Sequence, residues 1–164
     1  MIAMILVGIL LAVASYFGWC YIHEMSHILM AKATVGIYTY VLRIFPHKYP
    51  GVGWRWAACQ YVFKTQPTSK QRAAISLAPR IPDTIALIMF ALTGLFTGWA
   101  ALIWGICWGA GVIDTITGSL GISEHSDLRV AATRLDKNPW WFRVAGFVGI
   151  AASLAVAAIT FFGG

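Results

Sequence analysis

Charge is what this chain has least of. Residues 1–22 contain no Asp, Glu, Lys or Arg, and over all 164 residues charged side chains make up 11% against 59% hydrophobic, with a mean hydropathy of +0.73. That much apolar surface excludes an ordinary soluble globular domain and indicates a small polytopic membrane protein shielded by lipid. Cysteine is scarce too: Cys20, Cys59 and Cys107 are odd in number and show no C-x-x-C spacing, which excludes a disulfide framework. Cys20 is expected to be a small apolar core residue. The first apolar run lacks a basic segment before it, and Trp19 stands where processing needs a small residue. A cleaved signal peptide is therefore not expected, and the first helix should stay attached. There is no internal repeat and no low-complexity segment.

Acid is scarcer than base, with Asp+Glu 6 against Lys+Arg 12, for a net charge of +6. Such an excess raises the question of nucleic acid, but the cations gather between apolar runs, as the positive-inside rule explains. Nucleic acid is not an expected partner; the lipid bilayer is.

The apolar runs divide the chain into an α-helical polytopic membrane protein, one integral membrane domain of about four transmembrane helices with a short β-rich segment between helices 1 and 2. The first span covers 2–33 and ends near Lys32 and Gly36. Residues 34–68 are β-branched and aromatic around Ile37 to Leu42 and again from Trp54 to Phe63, punctuated by Pro46, Pro50, Gly51 and Gly53. They predict two or three short strands in a hairpin-like excursion at the membrane surface. The second span, 69–95, starts at Thr68-Ser69 and contains Pro79 and Pro82, which free backbone carbonyls and kink it. Arg80 and Asp83, three apart, can pair with each other there, or Asp83 can serve at a metal. The third span, 99–120, carries one acid, Asp114, amid Gly109, Ala110 and Gly111, with no base within a turn. A carboxylate in that setting needs a partner from elsewhere in the fold. A polar loop, 121–139, contains a short helix from Asp127 to Leu135 with Ser126 as its cap, and a fourth span, 140–162, opens on Trp140-Trp141 at the interface.

Within the first span lies His23-Glu24-Met25-Ser26-His27, an H-E-x-x-H motif. At about 3.6 residues per turn the two histidines share one helix face, so two imidazoles can share one metal while Glu24 reaches a water at the ion. Ionisable groups inside a span are costly and mark function. His47, beside Pro46 and Lys48, is expected to be a loop histidine. His125 either covers the site or lies in a solvated loop.

The distribution of Lys and Arg, after the first and third spans, predicts both termini outside the cytoplasm. Helices one and three then both run inward, bringing His23, His27 and Asp114 to similar depth near the cytoplasmic face.

This arrangement over residues 5–120 resembles the intramembrane site-2-type zinc metalloproteases, with the fourth span as an addition. The resemblance rests on H-E-x-x-H on a first core helix, a β-rich excursion, a proline-containing second helix and an aspartate on the third. It implies that His23, His27 and Asp114 hold Zn2+, with Glu24 as general base toward a zinc-activated water. Peptide bonds of membrane-embedded or membrane-proximal protein substrates would be hydrolysed in the cell (inner) membrane. Around the aspartate the chain reads Gly111-Val112-Ile113-Asp114-Thr115 and lacks the family's asparagine, proline and following glycine. The alternative class is a non-hydrolytic protein that binds or transports metal. A haem-binding bundle fares poorly, because histidines four apart on one helix cannot supply both axial faces of a haem.

Overall fold

The computed structural model describes residues 2–49, 53–55, 57–120 and 126–162. Its first helix, α1, runs from Ile2 to Thr34, apolar throughout and free of helix breakers. At 1.5 Å per residue its length is about 50 Å, long enough to cross a bilayer and project beyond it. Gly36, at φ +77°, ends it by turning its N–H back to the Ala31 carbonyl at 3.0 Å.

The chain then folds out into a hairpin. Strands β1 (Ile37–Arg43) and β4 (Ala58–Phe63) pair antiparallel, with an irregularity between Ile37 and Thr39. Inside them β2 (His47–Tyr49) pairs with β3 (Gly53–Arg55). Among the described residues the excursion thus has four strands where the sequence pattern suggested two or three. Pro46 lacks the N–H a continuous ladder would need, so the outer pair stops at Arg43 and a second short pair forms beyond it.

The second apolar stretch is broken. Helix α2 (Ser69–Leu77) opens on a capping box, Gln71 N–H to Thr68 Oγ1 at 3.3 Å and Thr68 N–H to Gln71 Oε1 at 2.9 Å. Such a box contributes about 1 kcal/mol. Gln71 also donates to the Thr34 carbonyl at 2.8 Å, fastening α2 to the end of α1. At Ala78-Pro79 the helix stops, and α3 (Arg80–Ala91) resumes before a 3-10 turn at Leu92–Leu95. Helix α4 covers Gly98–Leu120, α5 covers Asp127–Leu135 with Ser126 at its N-cap position, and α6 covers Pro139–Phe162. Asn138 Oδ1 accepts from the Trp140 N–H at 2.9 Å, and Pro139 occupies the first turn of α6, where no N–H is required.

Among the described residues, four stretches are long and apolar enough to cross a membrane: Met4–Thr34, Ser69–Leu95, Gly98–Leu120 and Pro139–Phe162. Their outward faces display large apolar side chains such as Leu10, Leu29, Val148 and Ile159, which suit lipid. Their inward faces are small: Ala31, Ala86, Ala91 and Ala110 are buried, so backbones approach closely. Trp19 fills the centre, packed with Ala86 and Ala110 and edge-on to Trp108 at 6.2 Å between ring centroids. Gly111 makes room for it; a Cβ there would stand 2.6 Å from the Trp19 ring and clash with Ala86 Cβ. We therefore expect Gly111→Val to lower unfolding stability by about 1–3 kcal/mol. Gly109→Ala, two residues away, meets only the Phe90 ring at an ordinary 3.6 Å and should change little. Denaturation midpoints of the two variants in one detergent check the contrast.

Candidate metal centre

Four segments bring polar groups to the C-terminal half of α1. On α1 the helical repeat stacks His23 and His27 edge to face, ring centroids 5.2 Å apart. From α2 comes a backbone carbonyl. Pro79 has no N–H, so the Ile75 carbonyl four residues earlier lacks its helical donor and is shared between the Ala78 N–H (3.3 Å) and His27 Nδ1 (2.7 Å). From α4 comes Asp114, whose Oδ2 lies 2.7 Å from His23 Nδ1. From α5 comes Asp127, whose Oδ2 lies 3.1 Å from His23 Nε2 and 3.3 Å from His27 Nε2.

These contacts assign protons. A carbonyl only accepts, so His27 Nδ1 carries hydrogen and, in the neutral ring, Nε2 presents a lone pair. His23 has a carboxylate oxygen at each ring nitrogen, Asp114 at Nδ1 and Asp127 at Nε2; in the neutral ring the shorter contact favours hydrogen on Nδ1, toward Asp114, with Nε2 bare. Both lone pairs then point at one carboxylate oxygen of Asp127. That convergence requires either two extra protons or a cation. Burial by itself would raise the Asp127 pKa; when those protons are present on the two Nε2 atoms, the charge of His27 and hydrogen bonds from both imidazoles outweigh it and hold the carboxyl well below the usual carboxylate range.

A second group shares His23. His23, Asp83 and Asp114 each offer a ligand atom within 4.8 Å of the others. Asp83, however, is 1% exposed and already engaged: Arg80 Nη1 is 2.8 Å from its Oδ2, and the Trp19 indole N–H donates to its Oδ1 at 3.3 Å. The pairing of Arg80 with Asp83, one of the two readings the sequence left open, is present. Gly118 gives the guanidinium its space, since a Cβ there would collide with it.

Glu24 faces a cavity of about 210 Å³ on the same side as Asp114, lined also by Tyr16, Cys20, His23 and, from the hairpin, Trp54 and Arg55. Cys59 on β4 donates a hydrogen bond to Glu24; burial, Glu24 and nearby Asp127 together push its thiol pKa far up, so it stays protonated. All three cysteines are free. His47 sits on β2 with Nδ1 donating to the Phe45 carbonyl at 2.7 Å and is not among the clustered residues. His125 lies outside the described residues.

The structure thus groups His23 with His27 and Asp127 on one side and with Asp83 and Asp114 on the other, so that His27 and Asp114, expected from the sequence to share an ion, fall in different groups, while Glu24 lines the adjoining cavity with His23 and Asp114. Comparison of the chain with protein-family models, with curated proteins and with solved structures gave no match.

The ion pair beneath the cluster generates a stability prediction. Removing one partner of a buried pair strands the other, at about 3–5 kcal/mol, whereas replacing both with apolar groups is often neutral. Asp83→Ala is expected to lower the denaturation midpoint sharply and the Arg80→Met, Asp83→Leu double variant to recover most of it. A double variant as unstable as Asp83→Ala would show that the acid does more than neutralise Arg80.

Proposed function

We propose that the chain is an intramembrane zinc-dependent peptidase acting on membrane-embedded or membrane-proximal protein segments. One observation carries the reading: both imidazoles of the H-E-x-x-H helix have Nδ1 tied to an acceptor, Asp114 or the Ile75 carbonyl, so both Nε2 lone pairs converge. This is how metal-ligating histidines are fixed in tautomer and orientation by partners behind them. The donor set, nitrogen and carboxylate oxygen, suits zinc.

Bound there, the ion supplies Lewis acidity, bringing the pKa of a coordinated water toward ~7 and polarising a carbonyl oxygen. The protein's own groups do the rest. Glu24, in the cavity beside His23, takes the proton of the attacking water and returns it to the leaving amine. Tyr16, Cys20 and Trp54 enclose the cavity and limit the access of bulk water. Because β1 and β4 pack on α1, a substrate unwound from its helix can add as an extended strand to an edge of their two-stranded sheet. The basic segments after the first and third spans orient the chain with both termini outside and the site toward the cytoplasm.

A metal-transporting protein is the competing reading, favoured by the second group at His23, Asp83 and Asp114, which lies next to the first. The guanidinium of Arg80 already supplies the cation there, which weighs against a conducted ion.

Two measurements separate these readings. In purified protein cleaving a transmembrane reporter, Glu24→Gln is expected to retain zinc and lose about 10²–10⁴-fold of the rate, as removal of a general base does. Uptake or regulation that persists in Glu24→Gln, with no cleavage by the wild type, would instead favour transport. Pro79→Ala is expected to return a helical donor to the Ile75 carbonyl and loosen His27, weakening zinc about 10–100-fold. Unchanged zinc affinity in that variant would remove the carbonyl from the account.

A further inference from the structure

We propose that Asp127, on the short helix outside the spans, is the third protein ligand of the metal, and that Asp114 acts behind His23 as a positioning carboxylate. This deepens the peptidase reading above and rests on it.

The two carboxylates lie on opposite edges of the His23 ring. Asp114 is at Nδ1 at 2.7 Å, a charge-assisted hydrogen-bond distance, and a ring donating there coordinates through Nε2. Asp127 is on the Nε2 edge, and its Oδ2 is the atom that both imidazoles face. Its separations of 3.1 and 3.3 Å from the two Nε2 atoms also have the right size. With metal–ligand bonds of 2.0–2.1 Å, the edge of a tetrahedron is about 3.3 Å. Asp114 is too close to its nitrogen to share an ion with that same atom. His23, His27 and Asp127 moreover form a group whose donor atoms all lie within 4.8 Å.

The placement of Asp127 is built by packing. Helix α5 docks on α2 through buried Leu128, Ala131 and Ala132, against a helix that buries Ala73 and Ile75. One helix, α2, therefore sets both the carbonyl behind His27 and the helix that carries the third donor. In the first turn of α5 the carboxylate also profits from the positive end of the helix dipole. The centre then has two neutral imidazoles and one carboxylate, leaving a position for water.

The test introduces thiolate donors. In full-length protein carrying Cys20→Ala and Cys59→Ala, which removes the native thiols nearest the cluster, Asp127→Cys and Asp114→Cys are loaded with Co2+ and their absorption is compared. A thiolate-to-cobalt charge-transfer band is expected in Asp127→Cys and not in Asp114→Cys. Zinc affinity, measured by chelator competition, is expected to fall by about 100-fold or more in Asp127→Ala, and Asp127→His should restore most of it because it returns a donor. The histidine variant also serves if the cysteine variant fails to fold. A charge-transfer band in Asp114→Cys alone, or wild-type zinc affinity in Asp127→Ala, overturns the assignment while leaving the peptidase reading standing. A parent protein that binds neither Co2+ nor Zn2+ overturns both.

Discussion

The hydrogen bond from His27 to the Ile75 carbonyl exists because Pro79 has no N–H to give. In an unbroken helix that carbonyl would be spent on its own backbone, and nothing would hold the ring in one tautomer. The break costs the second span its continuity, and the Thr68–Gln71 box and the tie from Gln71 to Thr34 offset part of that loss. Local chain chemistry and site geometry are therefore one problem here: the residue that ends α2 is the residue that orients an imidazole on α1. The same short helix carries α5, so a change in the pitch of α2 moves the anchor of His27 and the carboxylate of Asp127 together.

Acid is distributed with similar economy. Of the six acidic residues in the chain, Glu24, Asp83, Asp114 and Asp127 meet in one region. Each has a defined counterpart among nearby groups: a thiol for Glu24, a guanidinium and an indole for Asp83, and imidazoles for Asp114 and Asp127. Buried carboxylates without such partners would be far too costly in an apolar bundle. Small residues make the gathering possible, since Gly111 admits Trp19 and Gly118 admits Arg80.

The H-E-x-x-H face was readable because it depends only on helical periodicity, and Asp114 because a lone acid in an apolar span must be satisfied by something. The four spans follow from apolar length alone, and the capping residues marked the start of the second. The hairpin was readable in kind but not in strand number, because the interruption at Pro46 splits one ladder into two. Asp127 was not readable as part of the site. An acid at the start of a polar helix looks like ordinary N-terminal charge, and only the docking of α5 on α2, a contact between distant segments, turns it inward. The one clue available in sequence was scarcity: with so few acids in the chain, each merits a search for its partner.

The order of the donors along the chain has a consequence for biogenesis. The imidazoles emerge from the ribosome with the first crossing, the carbonyl with the second, Asp114 with the third, and Asp127 only afterwards. A nascent chain halted before α5 has Glu24 beside the two histidines but lacks the carboxylate that both imidazoles face. The cluster is thus completed only after the third apolar helix has been made, by a segment that lies outside the four long apolar helices.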